Sequence, residues 1–311
     1  MRIVFMGTPD FAVESLKILI ENNYEVVGVI TMPDKPAGRG HKIQFSPVKQ
    51  YALDNNLRLL QPEKLKDESF LSELQSLNAD LQIVVAFRML PEVVWNMPRF
   101  GTFNLHASLL PQYRGAAPIN WAIINGEKET GATTFFLTHE IDTGKVIQQH
   151  KIDISSTENA GEVHDKLMVI GAILVKKTVD LLIDGNIDAI DQSKFIQSGV
   201  ELKSAPKIFK ETCQIDFNWD VETVYNFVRG LSPFPTAWAE VILPNQTTKQ
   251  ILKIFETEKE FAKHDFALGT LVTDGKKYAK IALSDGFIIL KSVQIAGKKR
   301  MDIGELLHGM R

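Results

Sequence analysis

The chain opens on a strand-like stretch, Arg2 to Met6, whose apolar run Ile3-Val4-Phe5-Met6 stops at Gly7. Phe11, Leu16, Leu19 and Ile20 then recur at helical spacing over residues 11–22, and a second apolar run, Val26 to Ile30, follows at once. Strand, helix and strand within about thirty residues make a βαβ unit, which favours a parallel sheet. Ile83-Val84-Val85-Ala86 repeats the signal after a helical stretch from Asp67 to Leu77. The first half is therefore expected to be an open α/β domain. Ligands of such sheets sit at the carboxyl ends of the strands.

The pattern changes after about residue 130. Gly131–Thr138 and Lys145–Ile152 read as two strands of a hairpin around the loop His139–Gly144, and residues 160–184 read as one long helix. Residues 190–206 lose periodicity and are mostly polar, which suits a linker. Beyond it come a helix near Val221–Gly230 and the short apolar runs Trp238–Leu243, Gln250–Phe255, Tyr278–Leu283 and Phe287–Val293, broken by Pro-Asn and Asp-Gly turns. Short strands with those turns predict a small β-barrel. The expected division is a first domain over 1–189, a linker over 190–206 and a second domain over 207–311.

Composition removes several function classes. Cys213 is the sole cysteine of the 311 residues, so an internal disulfide framework, an all-cysteine zinc site and a cysteine-ligated iron–sulfur cluster are excluded. No metal is expected. No stretch approaches the ~18–20 apolar residues of a membrane span, and the N-terminal run is too short for a signal peptide. A soluble cytoplasmic protein is expected, and nothing suggests an obligate interface, so a monomer is expected. The net charge of −3 is not that of a non-specific nucleic-acid coat. It divides, however, into −5 over residues 1–206 and +2 over residues 207–311.

Three segments carry chemistry. Gly7-Thr8-Pro9-Asp10 occupies the place of a dinucleotide fingerprint, but it has one glycine and Pro9 lacks an amide donor. It reads as a helix start capped near Thr8 or Asp10. Thr31 to Lys49 holds three prolines, two glycines and the cations Lys35, Arg39, Lys42 and Lys49. That composition predicts an exposed loop, either a plain surface excursion or a basic finger for phosphates. The third segment is Phe103 to Pro118, FNLHASLLPQYRGAAP. Asn104 and His106 alternate with Phe103 and Leu105, so on a strand they share a face. Ser108-Leu109-Leu110-Pro111 ends the strand, and Ala117-Pro118 opens a helix that stops at Asn125-Gly126. A lone strand histidine is more often structural than catalytic. Asp142, at the hairpin tip Glu140-Ile141-Asp142-Thr143-Gly144, changes that balance. An amide, an imidazole and a carboxylate on separate segments form an acyl-transfer set: donors for an oxyanion and a carboxylate to orient the ring and move protons.

The run HASLLPQYRGAAPINWAI, with Asn104 ahead of it and Asp142-Thr143-Gly144 behind, resembles the folate-dependent formyltransferases. FMGTPDFAV, VITMPDKPAGRGHK, SPVK, ETGATTF and Ala296–Met301 (AGKKRM) extend the likeness over nearly the whole chain. The resemblance implies a Rossmann-like open-sheet catalytic domain followed by a small C-terminal β-barrel of OB-like form. It implies 10-formyltetrahydrofolate as donor, and as acceptor the α-amino group of methionine carried by initiator tRNA. Asn104 and His106 would then stabilise the tetrahedral oxyanion, and Asp142 would hold His106 charged and relay protons. Ser108, Leu109, Leu110 and Pro111 would line the folate site, with Phe87 and Met89 from the loop bordering the pterin. Lys35, Arg39 and Lys42 would reach the tRNA acceptor end, and Lys207, Lys210, Lys298, Lys299 and Arg300 would hold the acceptor arm.

The chain also departs from the family pattern. Where the family has A-Y-G-x-I-L-P, it reads Ala86-Phe87-Arg88-Met89-Leu90-Pro91, without the glycine and one residue shorter. Ser204-Ala205-Pro206-Lys207 follows the family's Y-A-x-K only loosely. Two rival readings keep much of the same sequence: a formyltransferase acting on a sugar-nucleotide amine, and a non-catalytic RNA- or folate-binding protein on the same scaffold.

Overall fold

The computed structural model describes residues 1–37, 42–196 and 198–310. Arg39 lies outside them, and Lys35 and Lys42 are described by backbone alone. The chain divides into two compact units. The first is Met1–Gly115, Gly131–Ile152 and His164–Lys203; the second is Ala116–Thr130, Asp153–Val163 and Ser204–Arg311.

The first unit is built on a seven-stranded sheet: β1 (Arg2–Gly7), β2 (Glu25–Ile30), β3 (Leu59–Leu60), β4 (Leu81–Val85), β5 (Thr102–His106), β6 (Glu129–Phe136) and β7 (Val146–Asp153). Their order is β7-β6-β5-β4-β1-β2-β3. The pairs β1–β2, β2–β3, β1–β4 and β4–β5 are parallel, and β5–β6 is antiparallel. The strand order reverses between β1 and β4, which opens the ligand crevice of a doubly wound sheet at their carboxyl ends. Ile3, Val4, Phe5 and Met6 are all fully enclosed, because a central parallel strand is covered on both faces. Each such side chain contributes roughly 1.5–3 kcal/mol on burial. The helix Asp10–Glu21 starts directly after β1, burying Phe11, Ala12, Leu16 and Leu19. A Cβ on Gly7 would lie 2.6 Å from that of Ala12, so only glycine permits this tight return. The cap position is Pro9 and makes no side-chain cap bond, so neither Thr8 nor Asp10 caps the helix; Asp10, its first residue, accepts only from the neighbouring Phe11 amide at 2.9 Å. The long helix Ala160–Ile183 backs the site strands: Thr178 is bonded to Thr134 of β6 at 2.7 Å.

The proline-rich stretch departs from a plain loop. Lys35–Ala37 and Lys42–Gln44 pair antiparallel as a two-stranded ribbon, and the helix Pro47–Asp54 begins inside the expected loop, with Ser46 as its cap. Lys49 is not a solvent cation either. It is 9% exposed, bonded to Gln61 at 2.9 Å and paired with Asp34. The base of the ribbon is thus pinned by a polar network, which also holds the Asp34 carboxyl below its ordinary range through hydrogen bonds from Lys49 and Gln61.

The second unit centres on the helix Val221–Leu231, capped by Asp220, whose carboxylate accepts from the Thr223 amide at 2.7 Å. Val221, Val224, Phe227, Val228 and Leu231 form its buried face against an antiparallel sheet. The sheet runs in the order Ala237–Ile242, Lys249–Phe261, Gly286–Ile295, Ala279–Leu283, Leu271–Thr273, with Met301–Asp302 added to Gly286–Ile295. This curled antiparallel sheet is the second half of the two-domain fold expected from the sequence. No helix among the described residues is long and apolar enough to cross a membrane.

Candidate active site

Asn104 and His106 lie at the end of β5, two residues apart and so on one face of the sheet. They point toward the carboxyl edge where β1, β4 and β5 deliver their following loops. The Asn104 carboxamide is half-buried and takes no hydrogen bond among the described residues. A half-buried amide without a partner is poised to receive a ligand atom.

His106 is buried, at 6% exposure, and its ring is fixed from two sides. Nε2 lies 2.8 Å from the Tyr113 carbonyl oxygen, which can only accept, so Nε2 carries a proton and donates it there. Nδ1 faces the Asp142 carboxylate at 3.9 Å, too far for a hydrogen bond. One ring nitrogen is therefore committed to the backbone, and Nδ1 is the one left for chemistry. Phe135 packs edge-on to the ring with centroids 6.4 Å apart.

Asp142 is held with equal care. Its carboxylate accepts from the Gly115 amide at 2.9 Å. Its backbone is left-handed, with φ 56°. Gly144 closes the hairpin tip so tightly that a Cβ there would lie 1.7 Å from the Phe136 carbonyl oxygen. Ala86 at the end of β4 and Tyr113 in the loop after β5 are also left-handed, with φ 47° and 59°. Non-glycine residues in this region cost roughly 1–3 kcal/mol each, and three of them border this edge.

The hub of the arrangement is a residue that the sequence did not single out. Gln192 is 3% exposed and starts a 3₁₀ turn, Gln192–Phe195, within the expected linker. Its amide donates to the carbonyls of Asp142 and Gly144, both at 2.8 Å. Its carbonyl accepts from Arg114 Nε at 3.1 Å and Nη2 at 2.7 Å. One side chain thus ties the Asp142 tip to the loop that carries Tyr113. Replacing Gln192 by Leu leaves two carbonyls and a guanidinium without their partner. It should destabilise the chain by about 2 kcal/mol or more and slow turnover roughly tenfold. Chemical denaturation beside steady-state kinetics checks both.

Thr133 and Gln149 were likewise not foreseen. The Thr133 hydroxyl donates to the Ser108 carbonyl at 2.6 Å and accepts from the Leu110 amide at 3.2 Å, and Gln149 donates to the Leu110 carbonyl at 2.7 Å. They lock the loop 107–113 onto β6 and β7. Within it Ser108 is fully enclosed, with its hydroxyl donating to the Gln112 carbonyl at 2.7 Å, and Leu110 is 1% exposed. Pro111 is buried as well, and Leu109 is half-buried against Gly131. On the neighbouring loop Phe87 is half-buried against the core and Met89 is 73% exposed. Arg88, at the position where the family has glycine, donates to the carbonyls of Glu63 and Pro62. It clamps the loop after β4 to the chain after β3, and burial lowers its pKa.

The remaining expected RNA contacts differ in their surroundings. Lys207 and Lys210 are exposed and close to each other in sequence, and Lys298 and Lys299 are exposed on a turn; none has an ion pair among the described residues. Arg300 is committed, paired with Glu256 and donating to Ser292 at 2.7 Å.

Comparison with known proteins bears on this geometry. The family described as Formyl transferase matches residues 1–187, and that described as Formyl transferase, C-terminal domain, matches residues 207–311. A methionyl-tRNA formyltransferase of Bacteroides thetaiotaomicron is 64% identical over 311 residues, covering 100% of this chain and 96% of that protein. One from Flavobacterium johnsoniae is 54% identical over 310 residues, with 100% and 96% covered. Among solved structures, the sugar 3N-formyl transferase WlaRD superposes with a TM-score of 0.64 at 22% identity, covering 96% of this chain and 99% of that one. This last likeness is one of fold.

Proposed function

This chain belongs to the methionyl-tRNA formyltransferase family, and on that premise we propose that it moves the formyl group of 10-formyltetrahydrofolate to the α-amino group of methionine on initiator tRNA, giving formylmethionyl-tRNA for translation initiation. The full-length likeness, 64% over every residue of the chain, carries this reading. It favours a charged tRNA over a sugar-nucleotide amine, which would give no use to the basic ribbon. A purely binding scaffold would not need the Asn104–His106–Asp142 set. The enzyme works as a monomer in the cytosol, with residues 1–189 as catalytic domain, 190–206 as linker and 207–311 as RNA-binding domain.

The chemistry follows from the edge of the sheet. The free methionyl amine attacks the formyl carbon, and the carbonyl oxygen takes the negative charge. The Asn104 carboxamide and the His106 ring supply donors to that oxygen, in a recess where water competes poorly. The tetrahedral intermediate collapses as the bond from carbon to N10 of the folate breaks. The proton released by the amine must reach N10. The Asp142 carboxylate, facing Nδ1, is the group placed to carry it, which leaves the ring as donor to the oxyanion. The folate lies against the loop 107–113, its pterin over Phe87 and Met89, whose half-buried and exposed apolar surfaces suit a flat ring. Buried Ser108 and Leu110 shape that wall from behind. The tRNA is held by Lys35 and Lys42 of the ribbon, by Arg39, and by Lys207, Lys210, Lys298, Lys299 and Arg300.

Formyl transfer from 10-formyltetrahydrofolate, compared across methionyl initiator tRNA, methionyl elongator tRNA, a dTDP-amino sugar and glycinamide ribonucleotide, tests the reading. Rapid formylation confined to the initiator is expected. Turnover of a small amine alone would keep the chemistry and overturn the acceptor.

A further inference from the structure

The second unit holds a cavity of about 470 Å³ that the formyl-transfer chemistry does not use. Phe234, Trp238 and Ile251 line it with apolar surface, and Lys207, Lys210 and Lys253 line it with charge. Three features set it apart from an ordinary surface dimple. Phe234 is 80% exposed, the most exposed large apolar side chain among the described residues. An aromatic face left in water at that level is open to a stacking partner. The three lysines have no ion pair among the described residues, and no carboxylate lines the cavity; the nearest acidic residue in sequence is Glu211, beside Lys210. Lastly, the Phe234 loop is built rigidly. Thr236, a β-branched residue, is held at φ 82°, with its amide donating to the Leu231 carbonyl and its hydroxyl to the Pro233 carbonyl, both at 2.8 Å. Trp238 is fixed through its indole N–H, which donates to the Lys210 carbonyl at 2.8 Å.

An exposed ring beside a second fixed aromatic, among lysines that have no ion pair among the described residues, is the arrangement that single-stranded nucleic acid selects. The base stacks on the aromatic, and the flanking phosphates meet the cations. The size also fits one nucleotide rather than a helix. We propose that this cavity takes one unpaired nucleotide of the RNA substrate, its base on Phe234 and its phosphates among Lys207, Lys210 and Lys253. The proposal rests on the RNA acceptor inferred above. The groups fixed in the cavity, Trp238 and Thr236, have their donors committed to backbone, so the base is held by its face and not by its edge. The subsite therefore adds affinity without base preference.

The test is fluorescence anisotropy with two probes, uncharged initiator tRNA and a five-nucleotide unpaired RNA, run on the full chain. Phe234→Ala should weaken both by about tenfold, and Phe234→Trp should restore them. Lys253→Gln should weaken both and lower the slope of log K against log salt by about 0.7. Phe261→Ala, which removes another exposed ring of the same unit, is the control and should change nothing. Equal binding by wild type and Phe234→Ala would overturn the subsite. Formyl transfer by the same preparations separates the two claims: a wild type that binds RNA through Phe234 but formylates only a small amine would overturn the acceptor and leave the subsite standing.

Discussion

Asn104→Ala lowers kcat for formyl transfer by about 10²- to 10³-fold and leaves the fold intact, the loss expected when one donor to a developing oxyanion is removed. The fold survives because the Asn104 carboxamide makes no hydrogen bond among the described residues, so no protein partner is orphaned by its loss. The strand stays in place through its backbone pairing, Asn104 opposite Val84 on one side and Phe135 on the other. The KM for folate should move little, because the ground-state carbonyl oxygen carries only a fraction of the charge it has in the transition state. Steady-state kinetics with thermal melts reads both halves of the expectation. A fall in Tm matching the fall in kcat would make the residue structural.

Asp142→Asn is the second large effect, with kcat expected to fall by about 10²-fold or more. The upper end is the ~10⁴-fold seen when a hydrogen-bonded orienting aspartate is neutralised in a catalytic triad. Here the carboxylate stands 3.9 Å from Nδ1, so the loss should fall short of that limit. The substitution is clean in two respects. Asparagine accepts the left-handed backbone at φ 56° as readily as aspartate, and its carbonyl can still take the Gly115 amide. The negative charge behind His106 is what disappears. A variant that melts like the parent and turns over like it would remove Asp142 from the mechanism.

The parts of this molecule that were legible in the sequence are those with a period. The continuous apolar run of β1, the helical spacing over 11–22 and the alternation of Asn104 and His106 each gave their element to within a few residues. Periodicity fails where charge is used on a strand. Lys249–Phe261 is one long strand, yet its second half reads as a polar run. The reason is that Glu256, Glu258 and Glu260 alternate on its exposed side, facing Arg300, Lys291 and Lys280. The ribbon within 31–49 was missed for another reason: three-residue strands containing Pro36 leave no alternation to read. Burial of a polar residue is not legible at all when its partners are distant in sequence. Lys49 looked like one more loop cation, but Asp34 and Gln61, 15 and 12 residues away, enclose it. Gln192 was hidden in the same way, in a polar stretch, with its partners 48 to 78 residues away. The groups proposed to react were picked out in the sequence, whereas the residues that position them emerge only from the fold.

The account stands on Asp142 acting through His106, and a double-mutant cycle measures that directly. Single-turnover formyl transfer to methionyl initiator tRNA would be compared for the parent, His106→Ala, Asp142→Asn and the pair. If the carboxylate works through the ring, removing it once the ring is gone changes little, and the double variant should run within a few-fold of His106→Ala. If instead the two losses multiply in full, Asp142 and His106 act independently, and the arrangement at the end of β5 does not work as described.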